Sequence, residues 1–205
     1  MLFDLDGTLV DTAPDLVAVL NTVLREAGRP PMSYAIARNE VSNGAIGLLK
    51  LGFGLGPDAP ELEPLRSRLL DVYMDNVCIH SRLFIDLQTF LGSADFDGRW
   101  GIVTNKPQAL TEPLLEQLGI AELPACVISG DSLPQRKPDP AQLLLAAQQL
   151  GLAPDQCVYV GDARRDIEAG QAAGMPTVAA AYGYIRAQED PRLWGADTQI
   201  GRAHV

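Results

Sequence analysis

The chain has 205 residues, 47% hydrophobic and 20% charged, so its length and composition fit a globular domain of ordinary size with a smaller insertion. Its 26 acidic residues outnumber its 16 basic residues, and the net charge of -10 argues against nonspecific binding to nucleic acid or to anionic membranes. No apolar run is long enough for a membrane span, and the N-terminus lacks the apolar core of a secretion signal. We therefore expect a cytoplasmic monomer or homodimer whose cysteines are reduced.

The first predicted element is a short strand over residues 1–3, followed at once by Asp4 and Asp6. Side chains alternate along a strand, so these two acids would point the same way. At ~4 Å and an effective dielectric of about 20, such a pair costs roughly 4 kcal/mol. A positive partner is therefore expected elsewhere in the chain.

A helical segment follows the strand. Apolar residues at helical spacing from Leu16 to Ala27 predict a helix that is capped by Thr12 and Asp15 and ends at Gly28. Two further helices are predicted over residues 33–54 and 61–77. Residues 11–82 are thus predicted to be nearly all helical.

The pattern then changes to short, continuous apolar runs separated by helical segments, which is typical of strands buried on both faces of a parallel sheet. This alternation predicts a doubly wound α/β core, formed by residues 1–10 and 83–205, with an all-helical cap inserted at residues 11–82. The C-terminal hexapeptide, residues 200–205, follows no predicted closing helix, so we expect that the natural tail is missing and give His204 no role. The predicted strands of the second part are residues 100–104, 125–129, 157–161 and 176–181.

Polar side chains lie at or near the predicted ends of four core strands. Ligands of open α/β sheets bind at the carboxyl ends of the strands, so we expect these side chains to converge. Carboxylates that surround a possible nucleophile favour a hard cation with oxygen ligands, and Mg²⁺ fits best. Mg²⁺ and Lys137 would then balance the charge of the two N-terminal acids. The converging residues are Asp4, Asp6, Thr104, Lys137, Asp162 and Asp166.

These four motifs, DxDGT, a strand that ends in Thr, Lys-Pro and GDxxxD, resemble those of the haloacid dehalogenase superfamily of phosphatases with a helical cap after the first motif. The resemblance covers nearly the whole chain and implies a Rossmann-like core. It implies that Asp4 is the nucleophile, that Asp6 is the general acid and base, and that Thr104 and Lys137 hold the phosphoryl oxygens. Backbone N–H groups around Leu5–Gly7 and Asn105 would assist.

The resemblance also implies a Mg²⁺ site. Its ligands would be the Asp4 carboxylate, the Asp6 main-chain carbonyl and Asp162, with Asp166 in an outer position. Taken singly, each acid has a simpler explanation: Asp4 and Asp6 would suit a turn, and Asp162 and Asp166 would suit a helix start. The joint occurrence of the four motifs favours the enzymatic interpretation.

The substrate is less constrained. The segment Ser42, Asn43 and Gly44 opens a predicted helix whose free N–H groups suit an anion, and Arg38, Lys50, Arg66, His80 and Arg82 are nearby bases or surface charges. The chain resembles phosphoglycolate phosphatases, and most of all the subgroup that acts on N-acetylmuramic acid 6-phosphate. The expected substrate is thus a small phosphate ester with a carboxylate, and 2-phosphoglycolate is the second candidate. The same motifs would also fit a sugar phosphomutase or a noncatalytic phospholigand-binding protein.

Overall fold

The structure is a computed structural model that describes residues 1–91 and 99–201. Along the chain, two short strands come first and a helical segment follows them. After that segment, strands alternate with helices. The strands are β1 (Leu2–Phe3), β2 (Val10–Asp11), β3 (Arg82–Leu83), β4 (Gly101–Val103), β5 (Cys126–Ile128), β6 (Tyr159–Gly161), β7 (Thr177–Ala180) and β8 (Thr198–Ile200). The α-helices are α1 (Ala13–Glu26), α2 (Tyr34–Ala37), α3 (Gly44–Phe53), α4 (Leu62–Met74), α5 (Ile85–Leu91), α6 (Gln108–Gln117), α7 (Ala141–Leu150) and α8 (Arg164–Ala172).

Six strands form one parallel sheet in the order β5-β4-β1-β6-β7-β8. The chain adds β4 and β5 on one side of β1 and β6 to β8 on the other, so the strand order reverses at β1. In open α/β sheets such a reversal leaves a crevice at the carboxyl ends of the strands. This topology places Asp4, the residue after β1, at the expected ligand position.

The two faces of the sheet pack into separate apolar clusters. Leu2 and Val103 pack with α7 on one face, whereas Phe3 and Ile102 lie in the larger cluster on the other face, which includes residues of α1 and α6. Neighbouring residues of one strand thus serve opposite faces, because side chains alternate along a strand. The predicted doubly wound α/β core is confirmed.

Helices α1 to α4 lie between β2 and β3 in the chain and pack against one another. Strands β2 and β3 pair antiparallel, Val10 with Leu83 and Asp11 with Arg82. The pair of strands forms a two-stranded ribbon. The chain passes through this ribbon once on its way from the sheet to the helical layer and once on its way back. The predicted cap, residues 11–82, has its ends in the ribbon, and its status as a separate domain stays a prediction.

The buried carboxylate of Asp15, in the first turn of α1, binds the segment that leads from the helical layer back to β3. It accepts hydrogen bonds from the backbone N–H of His80 at 2.9 Å and of Ser81 at 2.8 Å, and from the Ser81 hydroxyl at 2.6 Å. The predicted capping pair of Thr12 and Asp15 is therefore wrong, because the Asp15 carboxylate serves the return strand instead of the helix start.

One other prediction differs from the structure, and one strand was not predicted. The helix predicted over residues 33–54 is interrupted by a 3-10 helix, Arg38–Asn43, and α3 begins at Gly44 with a φ of 65°. A positive φ suits glycine and breaks a continuous α-helix. The strand β8 was not predicted, because Thr198–Ile200 is exposed and lacks a buried apolar run.

In the described ranges, no helix has the length and apolar character needed to cross a membrane. The last four residues, 202–205, which include His204, lie outside the described residues. The expectation about the C-terminal tail thus stays an expectation.

Candidate active site

The site is built around Lys137, which lies in the loop between β5 and α7. Its ammonium nitrogen is 2.9 Å from Asp4 Oδ1 and 2.7 Å from Asp166 Oδ1, and all three side chains are buried. Burial opposes the charge on Lys137, but Asp166 and Asp4 together raise its pKa above the ordinary value. Lys137 is therefore a fixed cation between two carboxylates.

Neighbouring groups fix the position of Lys137. Its Nζ donates to the Val103 carbonyl at 3.0 Å and to the Tyr159 hydroxyl at 2.7 Å. The Asn105 side chain donates to the Lys137 carbonyl and accepts from the Lys137 N–H, both at 3.1 Å. Asn105, predicted to contact the phosphoryl group, thus also braces the Lys137 backbone.

Asp6 has a different positive partner. Lys106 Nζ lies 3.1 Å from Asp6 Oδ1, and the Thr12 hydroxyl donates to the same oxygen at 2.6 Å. The ammonium of Lys106 is also 4.6 Å from the centre of the Tyr73 ring, a favourable cation–π distance. Sequence reasoning assigned the charge balance to Lys137 and gave Lys106 no role, although Lys106 lies only three residues after the end of β4.

Three buried carboxylates converge beside Lys137. Asp4, Asp162 and Asp166 can each offer one oxygen such that all three atoms lie within 4.8 Å of one another. The Asp6 side chain is not in this group, because it lies with Thr12 and Lys106. Buried carboxylates with mutually close oxygens are suitable ligands for a divalent cation such as Mg²⁺. The acidic cluster is therefore compatible with the cation that the sequence predicts.

The charge balance of the cluster supports the same fit. Burial, followed by the negative charges of Asp4 and Asp166, raises the pKa of Asp162 to about 7. Burial also raises the pKa of Asp4, although Lys137 opposes that shift. The three carboxylates face two cations, Lys137 and the nearby Arg165, and a bound cation would offset the remaining negative charge.

Asp162 is held by uncharged donors. Its Oδ2 accepts from the Tyr184 N–H at 2.8 Å and from the Ser42 hydroxyl at 2.9 Å, and its Oδ1 accepts from the Thr8 hydroxyl at 3.3 Å. A side chain on Gly7, which has a φ of 85°, would overlap the Asp162 carboxylate. The glycine of the DxDGT motif thus allows the first loop to approach the acidic cluster closely.

The remaining predicted site residues have defined surroundings. Thr104 is buried, and its Oγ1 accepts from the Lys106 N–H at 3.1 Å. The Gly7 N–H, expected to assist the phosphoryl group, donates to the Val10 carbonyl at 2.9 Å. Ser42 contacts Asp162, and the Asn43 side chain donates to Glu40 at 3.1 Å. The roles of all these residues toward a substrate stay predictions.

A cavity of about 360 Å³ opens above these residues, between the sheet edge and the helical layer. Its floor includes Asp4, Asp6 and Thr104, and residues 42–45 lie at its wall. Arg66, Arg136, Arg165 and Lys106 also line it, whereas most of the other wall residues are apolar. These are Leu16, Val41, Ile46, Leu69, Leu70 and Leu110.

The loop after β7 joins the acidic cluster to the start of α1. Besides its N–H bond to Asp162, Tyr184 accepts hydrogen bonds at its hydroxyl from the N–H groups of Thr12 at 2.6 Å and Ala13 at 2.9 Å. The hydroxyl lies 2.8 Å from Asp11 Oδ1, to which it donates. The guanidinium of Arg38 packs on the Tyr184 ring at 4.8 Å and donates to the carbonyls of residues 182 and 183.

Replacing Tyr184 by phenylalanine leaves two buried N–H groups at the start of α1 without an acceptor. We expect Tyr184→Phe to lower the free energy of unfolding by about 1–3 kcal/mol, measured by urea denaturation. Tyr182→Phe is the matched control, because that hydroxyl donates one bond, to the Thr8 carbonyl at 2.8 Å. An equal loss in both variants would contradict the capping role of Tyr184.

Comparison with known proteins decides the family. Residues 1–180 match the family model described as haloacid dehalogenase-like hydrolase. The chain belongs to this family. The predicted family and the predicted enzyme class, a phosphatase, are thereby confirmed, because the curated relatives of this hydrolase are named phosphatases.

Two relatives illustrate the similarity of this hydrolase to named phosphatases. It is 42% identical to an N-acetylmuramic acid 6-phosphate phosphatase from Pseudomonas aeruginosa, over 98% of this chain and 89% of that protein. It is 44% identical to a phosphoglycolate phosphatase from Xanthomonas campestris pv. campestris, over 98% of this chain and 90% of that protein. Among solved structures, a predicted phosphoglycolate phosphatase from Haemophilus somnus superimposes with a TM-score of 0.84 and 30% identity, covering 98% of this chain and 92% of that one.

Proposed function

We propose that this hydrolase cleaves phosphomonoesters with the help of Mg²⁺ and through a phosphoaspartyl intermediate on Asp4. The observation that carries the proposal is the pairing of two carboxylates with two different lysines at one end of the sheet. Asp4 contacts Lys137, and Asp6 contacts Lys106 and faces the same cavity. Two carboxylates in distinct environments can perform two distinct tasks, nucleophilic attack and proton transfer.

In the first step, an Asp4 carboxylate oxygen attacks the phosphorus atom. A bond forms between that oxygen and phosphorus, and the bond from phosphorus to the alcohol oxygen breaks. Asp6, in its protonated form, gives its proton to the departing oxygen. The cavity above Asp4 and Asp6 provides the space for the leaving alcohol.

In the second step, water attacks the same phosphorus atom. Asp6, now a carboxylate, takes a proton from this water, and the bond between Asp4 and phosphorus breaks. The bond from Thr12 Oγ1 to Asp6 Oδ1 keeps the Asp6 carboxylate fixed between the two steps. Phosphate leaves, and Asp6 again holds the proton that the next cycle needs.

The phosphoryl group carries negative charge in both steps. Lys137, which already contacts Asp4, and the Thr104 hydroxyl stabilise that charge by hydrogen bonding. The Asp4 carboxylate, Asp162 and the main-chain carbonyl of Asp6 would hold Mg²⁺, and Asp166, whose carboxylate already accepts from Lys137 and from the Ala163 N–H, would lie outside them. When bound, the cation supplies Lewis-acid neutralisation of the phosphoryl oxygens.

For the substrate we propose N-acetylmuramic acid 6-phosphate, with 2-phosphoglycolate as the alternative. Relatives at 42% and 41% identity carry the first name, and relatives at 44% identity carry the second. The cavity volume of about 360 Å³ and its apolar wall favour the larger sugar ester, because pockets of this size hold ligands well beyond a two-carbon acid.

The decisive assay is phosphate release from N-acetylmuramic acid 6-phosphate, 2-phosphoglycolate, glucose 6-phosphate and p-nitrophenyl phosphate. We expect the first to have the highest kcat/KM. Treatment with a chelator is expected to lower each rate by about 100-fold or more, and added Mg²⁺ is expected to restore it, because the acidic cluster alone leaves the phosphoryl charge unbalanced. Preference for 2-phosphoglycolate would support the alternative substrate. Activity that persists without metal would contradict the Mg²⁺ proposal.

A further inference from the structure

The face of α4 that lines the cavity is amphipathic along its length. Arg66, Leu69, Leu70 and Tyr73 all line the cavity, and their spacing of three, four and seven residues places them on one side of the helix. Tyr73 marks the inner end of this face, because the Lys106 ammonium that pairs with Asp6 lies against its ring. Arg66 marks the outer end.

The helix geometry sets the distance between the two ends of this face. Seven residues at 1.5 Å per residue separate Tyr73 from Arg66 by about 10 Å along the axis. A ligand whose phosphoryl group lies at Asp4 would pass the apolar side chains of Leu69 and Leu70 before it reaches the guanidinium. Its second charged group would therefore lie several bonds away from the phosphorus atom.

Two observations indicate that this face receives an anionic ligand. The Tyr73 hydroxyl is buried, and the Lys106 ammonium against the Tyr73 ring places a cation at the inner end of the face. The side chain of Arg66 is 37% exposed, and among the described residues its one ion-pair partner is Glu63, at 3.2 Å and one turn away. An exposed pair of this kind contributes little, so the guanidinium is available to another anion.

We propose that the cavity face of α4 selects a sugar phosphate with a carboxylate remote from the phosphorus atom, and that Arg66 binds this carboxylate. The assignment rests on the proposed phosphatase function and deepens it. The guanidinium forms paired N–H bonds with a planar carboxylate, and Leu69 and Leu70 pack against the apolar groups between the two charges. The carboxylate of 2-phosphoglycolate is too close to phosphorus to reach this arginine.

The test compares two substrates that differ in the acid group alone, N-acetylmuramic acid 6-phosphate and N-acetylglucosamine 6-phosphate. In Arg66→Gln, we expect the ratio of their kcat/KM values to fall about 10- to 100-fold, because a charge-assisted bond to the acid is lost. Arg66→Lys is expected to restore part of the ratio. An unchanged ratio in Arg66→Gln would overturn the proposal, and so would a matching loss of 2-phosphoglycolate hydrolysis.

Two variants serve as controls for charge. Arg136→Gln removes one of the two further arginines that line the cavity, the other being Arg165, and Glu63→Gln removes the partner of Arg66. We expect both variants to keep the ratio of the two kcat/KM values within about twofold, since neither changes the group that binds the carboxylate. A fall in the ratio for Arg136→Gln as large as that for Arg66→Gln would assign the effect to general charge and overturn the role of Arg66.

A binding experiment tests the role of Arg66 even if the proposed phosphatase function is wrong. If the wild-type chain hydrolyses none of the esters, calorimetric binding of the same two sugar phosphates decides the proposal. Tighter binding of the acid-bearing sugar, lost in Arg66→Gln, would support the α4 site without catalysis. Equal binding of the two sugars would overturn it.

Discussion

Replacement of Asp4 by asparagine is expected to lower phosphate release by about 10⁴-fold or more, because the amide cannot accept the phosphoryl group. The same change is expected to leave the fold intact. Burial raises the pKa of Asp4, so its charge is disfavoured in place, and a neutral side chain of the same shape removes that cost. Lys137 keeps its second carboxylate, Asp166, as a partner.

The measurement is single-turnover phosphate release together with thermal unfolding followed by circular dichroism. Asp58→Asn is the matched control, since it makes the same chemical change at an exposed loop position. The control should keep the wild-type rate. Retention of even a tenth of the rate in Asp4→Asn, with the fold intact, would rule out Asp4 as the nucleophile.

Replacement of Lys137 by methionine is expected to reduce both activity and stability. The variant leaves two carboxylates, Asp4 and Asp166, buried beside each other without their shared cation. Removing one partner of a buried ion pair costs about 3–5 kcal/mol of unfolding free energy. We expect a loss of this size in urea denaturation and a loss of about 100-fold or more in kcat, because the phosphoryl charge loses its fixed cation.

A double variant separates the two effects. Adding Asp4→Asn to Lys137→Met removes one of the stranded carboxylates, so part of the lost stability should return while activity stays absent. Lys50→Met is the control for the loss of a lysine outside the ion-pair network. If Lys137→Met unfolds at the same urea concentration as wild type, the buried network does not stabilise the fold as proposed.

The sequence predicts the sheet core because the signal for each strand lies within a few neighbouring residues. Each short apolar run before a polar motif is a strand, and the polar residue after it lies at the sheet edge by geometry alone. The placement of Asp4 and Asp162, which directly follow β1 and β6, comes from this rule without knowledge of any individual contact, whereas Lys137 lies in the loop after β5 and Asp166 lies in α8. The strand β8 is missed for the same reason, because Thr198–Ile200 is exposed and has no apolar signal.

The contacts that tune the site are not local. Lys106 and Asp6 are 100 residues apart, and the Tyr184 hydroxyl meets the start of α1 across 172 residues. Nothing in the spacing of one sequence states that a lysine near the end of β4 pairs with the second acid. The capping of α1 by a distant tyrosine, in place of the nearby Thr12, depends on the folded position of the loop after β7.

The hydrogen bonds from His80 and Ser81 to Asp15 have a consequence for domain motion. They tie the point where the chain enters the helical layer to the point where it leaves, so both crossings act as one pivot. We expect the layer to swing about this pivot rather than slide. The contacts that such a swing must break include the bonds from Arg38 to the carbonyls of residues 182 and 183 and from Ser42 to Asp162, whereas the bonds of the pivot can stay closed.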